Sequence, residues 1–372
     1  MAISETDRRN RTAPAQSPVT PYIVHNPRRL NFRMPTIRSK HRTPGNSCGP
    51  GVVLFGMANL IKPPAAALLL AAGAALAQQQ VNDSNFNAQV EHPAFTKKHP
   101  RIGIDEAHRN FHTRDGRYKP FAELLESDGF VVSAAPQFDT HSLRGVDILV
   151  IANAMGEFLD STTSPVRKGA MGPAFTPVEC DAVRDWVRGG GSLLLIADHV
   201  PWGDASAILA RRFGVEMGLG IVMDLSHADG NPTRLVFSVE NGLLGEHPIR
   251  RGRNPVEQVR KVVAFTGQSL SVPRNATVLL KISSDATESF DPEDQRKIEA
   301  GIPAGTKLEG RAQGIAMPFG KGRVAVFGEA AMFSAQVATI DRQSFRVGMN
   351  VPGNDDRQFA LNVMHWLARL VN

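Results

Sequence analysis

The chain has 372 residues, 42% of them hydrophobic, and a formal net charge of +6. That length supplies a core for one large domain or two modest ones. The positive charge is confined to the start: residues 1–56 hold nine Lys/Arg against two Asp/Glu, whereas residues 78–372 hold 32 against 34. The body has no basic excess of the kind nucleic-acid binding demands, so no nucleic-acid partner is expected.

Residues 1–56 are rich in Arg and Pro and lack periodicity, which reads as a disordered basic leader or a misassigned start ahead of Met57. Residues 57–77 have a short positive start, an Ala/Leu run and Ala75-Leu76-Ala77 before polar residues. That is the layout of a cleaved signal peptide. The run from Ala65 to Ala77 is short of the roughly 20 apolar residues a span requires. A periplasmic or secreted location is therefore expected, with no stable membrane span after cleavage. Only two cysteines occur, Cys48 and Cys180, and the first lies in the leader. Residues 78–100 are polar and read as a flexible lead-in.

From residue 101 to 372 the pattern is α/β. Ile102 to Asp105 is a short strand, Phe121, Leu124 and Leu125 mark a helix that Gly129 stops, and Phe130–Ser133 and Asp147–Asn153 are the next strands. Thr176-Pro177-Val178-Glu179 has the cap, the proline and the returning carboxylate of a helix start. Gly189-Gly190-Gly191 then leads into Ser192-Leu193-Leu194-Leu195-Ile196-Ala197, an unbroken apolar run that predicts a strand buried on both faces. A helix over Asp204–Phe213 follows. Right-handed crossovers lay these units into a doubly wound, mostly parallel sheet.

Residues 214–310 break the rhythm with many Gly and Pro and read as an antiparallel β insertion, with strands at Val262–Thr266 and Thr277–Ile282 and a surface loop from Asp285 to Gly310. Ile315–Phe319 and Arg323–Phe327 flank Gly320-Lys321-Gly322 as a hairpin. Phe359, Val363, Trp366, Leu367 and Leu370 stripe a closing helix.

In open α/β sheets ligands bind at the carboxyl ends of the strands. Asp105, Glu106 and His108 end the first strand, Asn153 the third, Asp198 and His199 the fourth, and Glu329 a late one. These residues are expected to share one crevice, with His112 near it. Structural capping explains any one of them equally well. Asp105-Glu106-Ala107-His108 spells the helicase DEAH box, yet no phosphate-binding loop accompanies it. His108 and His112 suit a metal only if that stretch is helical, and it reads as a loop, so no metal and no cofactor are expected. No nucleophile elbow occurs, and Cys180 falls inside a helix where a packed thiol belongs. His227, His247 and Gln268 are candidates for a lid, and Gly348–Asp355 is a turn-rich approach to the same edge.

The strand order, the glycine-led central strand, the segment Arg323-Val324-Ala325-Val326-Phe327-Gly328-Glu329-Ala330-Ala331-Met332-Phe333-Ser334 and the stretch Asn354 to Asn362 resemble the class I glutamine amidotransferase-like superfamily. Within it the likeness is to an exported bacterial group without assigned function, and it covers roughly 101–372. The resemblance implies a flavodoxin-like sheet. It implies no amidotransferase activity, because Ala197-Asp198-His199 stands where the nucleophilic Cys belongs and no late His-x-Glu follows. Fold alone leaves function open.

The expected function is binding of a small polar ligand, a carbohydrate or cell-wall fragment, with Asp105, His108, His112 and Asn153 lining the site. The alternatives are a hydrolase in which Asp198 or His199 activates water with Glu106 or Glu329 as acid partner, and a noncatalytic envelope module.

Overall fold

The structure is a computed structural model that describes residues 79–372 except 136, 137, 140, 160–169, 341 and 342. The leader and the signal peptide expected over 1–77 lie outside the described residues.

Seven strands form the main sheet: β1 (Arg101–Asp105), β2 (Val131–Ala135), β3 (Ile148–Ala152), β4 (Ser192–Ile196), β5 (Thr277–Lys281), β6 (Ala312–Phe319) and β7 (Gly322–Phe327). Their order is β2-β1-β3-β4-β7-β6-β5. The first five in that order run parallel, and β6 pairs antiparallel with both β7 and β5. This is a mixed α/β fold with a mostly parallel sheet, and among the described residues three smaller antiparallel sheets accompany it.

The central apolar run behaves as its composition predicts. All five residues of β4 are buried, between β3 and β7, in register Leu193 with Leu149 and Val324. Alternation along the strands then sends side chains to two cores. Leu194, Ile196, Val150 and Phe327 meet helices α1 (Lys119–Ser127) and α4 (Asp356–Leu367) through Phe121, Leu124, Phe359 and Val363. Leu193, Leu195, Ile151 and Val326 meet α2 (Pro177–Gly189) and α3 (Trp202–Arg211) through Val183, Val187, Leu209 and Ala210. Helices thus cover both faces.

The start of α2 is the predicted capping box: the Thr176 side chain accepts from the Glu179 amide and the Glu179 carboxylate accepts from the Thr176 amide. Gly190, at φ 132°, ends the helix in a backbone region that suits glycine. Helix α3 begins two residues before the predicted Asp204, at Trp202, and this brings the indole to the end of β4.

Two expectations need correction. Within the presumed flexible lead-in, Gln79–Asn82 is a strand paired antiparallel with Ala335–Ile340, and the carboxylate of buried Asp83 accepts from Asn350 Nδ2 at 2.8 Å. Its backbone hydrogen bonds are made with a segment more than 250 residues away, so nothing local announces them. Asp285–Gly310 is not a plain loop, since it holds the strand Thr287–Ser289, a helix over Pro292–Glu299 and the strand Thr306–Lys307. The helix has its own legible start, an Asp291 cap followed by proline and two acids. Among the described residues no helix is long and apolar enough to cross a membrane.

Candidate functional site

Parallel register decides where the candidate residues fall. Asp105 ends β1, Asn153 follows β3, Ala197-Asp198-His199 follows β4 and Gly328-Glu329 follows β7. Because these strands point the same way, all four carboxyl ends lie on one rim. The rim divides into two hydrogen-bonded corners.

The first corner is closed. Asp105, fully buried, accepts from His108 Nδ1 at 2.9 Å, from Asn110 Nδ2 at 3.0 Å and from the Ala107 amide at 3.2 Å. His108 Nε2 meets Glu179 Oε1 at 3.3 Å, so the capping glutamate of α2 also ties down this histidine. Phe138 and Phe175 pack on the imidazole at 4.6 Å each. Burial disfavours the charged ring, but hydrogen bonds and the charges of Asp105 and Glu179 hold its pKa above the ordinary histidine value. The corner is an ion pair sealed by aromatic rings.

The second corner is open in its hydrogen bonding, with polar atoms that lack partners. Asn153 sits at φ 48°, in the left-handed region that asparagine tolerates better than most residues. Its Oδ1 accepts from the Asp198 amide at 2.8 Å, and its Nδ2 donates to Asp198 Oδ2 and to His112 Nδ1, both at 3.3 Å. The other carboxylate oxygen, Asp198 Oδ1, is buried with no partner in good hydrogen-bond geometry, although the His199 and Ala330 amides lie close enough to the carboxyl to favour its charge. Burial and then the nearby Glu329 charge push Asp198 well above the usual carboxylate range. Glu329 is fully buried and accepts from the Ala331 and Met332 amides at 2.7 and 2.8 Å, and burial raises it to about 7 despite those bonds. Among the described residues neither acid forms an ion pair.

The histidines here are neutral. His112 is buried, with its pKa lowered to about 3 by burial and the Arg117 charge. Burial lowers His199 to about 4. His199 Nδ1 lies 2.8 Å from the Val200 carbonyl, which can only accept, so Nδ1 carries the proton and Nε2 is an acceptor.

Two rings complete the corner. The half-buried Trp202 packs edge-on to His199 at 5.5 Å and against Phe111 at 5.3 Å, and its Nε1 has no hydrogen-bond partner. Phe111 is 40% exposed, enough to offer a face to a ligand, and the Arg117 guanidinium stacks over it at 4.1 Å.

Of the residues expected at the site, His112, Asn153, Asp198, His199 and Glu329 meet at the open corner, and Asp105 and His108 form the closed one. Glu106 stands apart: it is exposed and its carboxylate accepts from the Arg114 amide at 2.8 Å. Asp105 is the last strand residue and faces inward, so its neighbour is turned outward by the strand's period of two. Gln268, considered for a lid, is fully buried, and its Nε2 donates to the Ala197 and Asp198 carbonyls at 2.8 Å each.

Sequence reasoning passed over Tyr118, Trp202 and Asp356. Tyr118 feels the charges of both Glu329 and Asp198, and Asp356, whose Oδ1 accepts from the Val263 amide, feels that of Glu329. For Trp202 a signal existed, a ring three residues past His199 at a helix start.

An open cleft of about 690 Å3 lies elsewhere, between Glu216–Gly218, Glu288–Asp291 and Gly305–Arg311. The rim, not this cleft, carries the acids without an ion pair and the unbonded Asp198 and Trp202 atoms. Among the described residues no cluster of three or more His, Cys, Asp or Glu is arranged to hold a metal ion.

The fold and rim define an α/β protein with its acids gathered at the strand carboxyl ends. No protein-family model and no curated protein matches the chain. Solved structures do resemble it. The mmIFT52 N-terminal domain aligns with TM-score 0.48 and 16% identity over 72% of this chain and 96% of that one. The cytoplasmic protein STM1381 from Salmonella typhimurium LT2 aligns with TM-score 0.39 and 15% identity over 72% and 99%. A ThuA-like protein from Bacteroides uniformis ATCC 8492, of the class I glutamine amidotransferase-like fold, aligns with TM-score 0.34 and 13% identity over 77% and 95%. At these identities the likeness concerns fold and carries nothing about activity.

Proposed function

We propose that the open corner of the rim binds a small polar ligand of the carbohydrate class. The observation that carries this reading is the pairing of open polar atoms with aromatic faces. Asp198 Oδ1 and Trp202 Nε1 are buried and unbonded, His199 Nε2 is a neutral acceptor, and the Phe111 and Trp202 rings lie beside them. A sugar offers alternating hydroxyls, each both donor and acceptor, on an apolar ring face, and this set complements it. The strand order β2-β1-β3-β4 and the position of Asp198, on the turn where a nucleophile would stand, support a flavodoxin-like, amidotransferase-like domain without the catalytic Cys. An exported setting, as the segment 57–77 leads one to expect, suits a ligand from the cell wall.

The test is calorimetric titration of the full chain with mono- and disaccharides. Binding should fall about tenfold or more in Trp202→Ala and in Asp198→Ala, the size expected for one lost stacking or polar anchor. Absence of binding by any sugar, or binding by both variants as tight as that of the wild type, contradicts the reading.

A hydrolase at the same corner is the second reading, favoured by one observation. Burial and the Glu329 charge keep the Asp198 carboxyl protonated well above the usual range, as a general acid requires, and His199 Nε2 beside it can accept a proton. Release of nitrophenol from aryl glycosides by the wild type, lost in Asp198→Asn, would support it. No release by the wild type rejects it.

A further inference from the structure

The charge balance of the open corner says more about the ligand than that it is polar. The Glu329 charge acts on both Asp198 and Asp356, and Asp355 adds to it at Asp356. Lys261 acts on Asp356, but no cation is among the chief influences on Asp198 or Glu329. Arg117 stacks on the face of Phe111 and donates to Gln80 Oε1 at 2.6 Å. Burying carboxyl groups without a countercharge is unfavourable, which raises the pKa of both acids.

A second observation is independent of the acids. Gln313, on β6, is fully buried, and neither Oε1 nor Nε2 of its amide has a hydrogen-bond partner. It lies against Gly267, where an added Cβ would stand 2.6 Å from Gln313 Nε2 and 2.8 Å from Glu329 Cβ. A buried amide open at both ends is costly, and it borders the same acid. Gln313 on β6 and Asp198 on the turn after β4 are two different side-chain types, each with unmet hydrogen-bonding capacity, and Glu329 neighbours both.

We infer that the ligand of the open corner carries a protonated amine, as an amino sugar does, and that its ammonium group is received by Asp198 Oδ1 with His199 Nε2 as a neighbouring acceptor. This rests on the reading of that corner as the ligand site. An ammonium has three donors and no acceptor, so it matches this corner once its arrival makes Asp198 release its proton to solvent, leaving unbonded acceptors at residues 198 and 199. It supplies the missing countercharge, and its bond to a carboxylate is charge-assisted. The face of Trp202 adds a cation–π contact, while its Nε1 remains free to donate to a hydroxyl. A neutral N-acetyl group in the same place would keep the bulk and lose both the charge and two donors.

The experiment is calorimetric titration of the full chain at neutral pH with glucosamine, N-acetylglucosamine and glucose. Glucosamine is expected to bind at least about tenfold more tightly than either neutral sugar, as one charge-assisted bond provides. The Asp198→Asn variant keeps the shape and the carbonyl acceptor, and in it the preference should shrink to within about threefold, with an unchanged circular dichroism spectrum. Equal or tighter binding of glucose or N-acetylglucosamine by the wild type overturns the amine assignment and leaves the sugar site standing. No binding of any of the three overturns both. The wild-type comparison decides the matter even if the variant fails to fold.

Discussion

The two corners of the rim use the same residue types and reach opposite states. At the Asp105 corner a buried carboxylate faces an imidazole, an amide and a backbone N–H, and a second carboxylate closes the far side of the ring. At the Asp198 corner the half-buried Asp198 feels the charge of the buried Glu329, the histidines are neutral, and polar atoms are left without partners. What separates a structural polar cluster from a candidate site is whether its charge is balanced from within. A balanced cluster contributes to stability, and an unbalanced one favours a partner that completes it.

The largest effect should come from breaking the balanced corner. Asp105→Ala strips His108 and Asn110 of their shared partner and is expected to destabilise the fold by about 3–5 kcal/mol, read from urea denaturation midpoints. His108 has its folded pKa above its unfolded value, so its contribution is complete below about pH 6.5 and is lost as pH rises through the folded pKa. Asp105→Ala should weaken that dependence, leaving the part due to Glu179. A loss below about 1 kcal/mol would mean that Asp105 is not the anchor of its corner.

The unbalanced corner should respond in its pH dependence. Glu329 is raised from 4.5 to about 7, so the stability it lends through its protonated form is present below about pH 4.5 and is lost as pH rises toward 7. Between those limits the wild type should lose about 3 kcal/mol relative to Glu329→Gln, which cannot ionise. The glutamine variant will be weaker at low pH, because its amide nitrogen cannot accept from the Ala331 or Met332 N–H. The informative quantity is thus the difference in slope. Parallel stability curves would show that Glu329 ionises normally.

Much of this organisation is legible in the chain. Strands β1, β3 and β4 are short apolar runs, and where each run stops the polar residue that follows is placed on the rim. The capping box at Thr176 names the first residue of α2, but nothing nearby tells that Glu179 also reaches His108, 71 positions away. The open corner is harder still to read, because Tyr118, Gln268, Gln313 and Asp356 come from four separate stretches and meet only through the sheet. The division of the rim into a balanced and an unbalanced part is a property of distances between those stretches, so composition at the strand ends looks alike in both.

The smallest effect is expected outside both corners. Glu106→Ala removes an exposed carboxylate that holds the Arg114 amide, and it should change stability by less than about 0.5 kcal/mol and sugar affinity not at all. A large loss of affinity would draw Glu106 into the site and blur the boundary between the two corners.

The most direct measurement is a pH titration of side-chain carboxyl carbons by 13C NMR, with Asp198→Asn and Glu329→Gln as assignments and with glucosamine absent and then present. The expected result is a carboxyl titrating near pH 7 that is missing in Glu329→Gln, an Asp198 signal titrating far above the ordinary range, and a downward shift of Asp198 when the amine is added. Titration of both groups near pH 4, unmoved by the amine, would contradict the claim that this corner holds uncompensated acids.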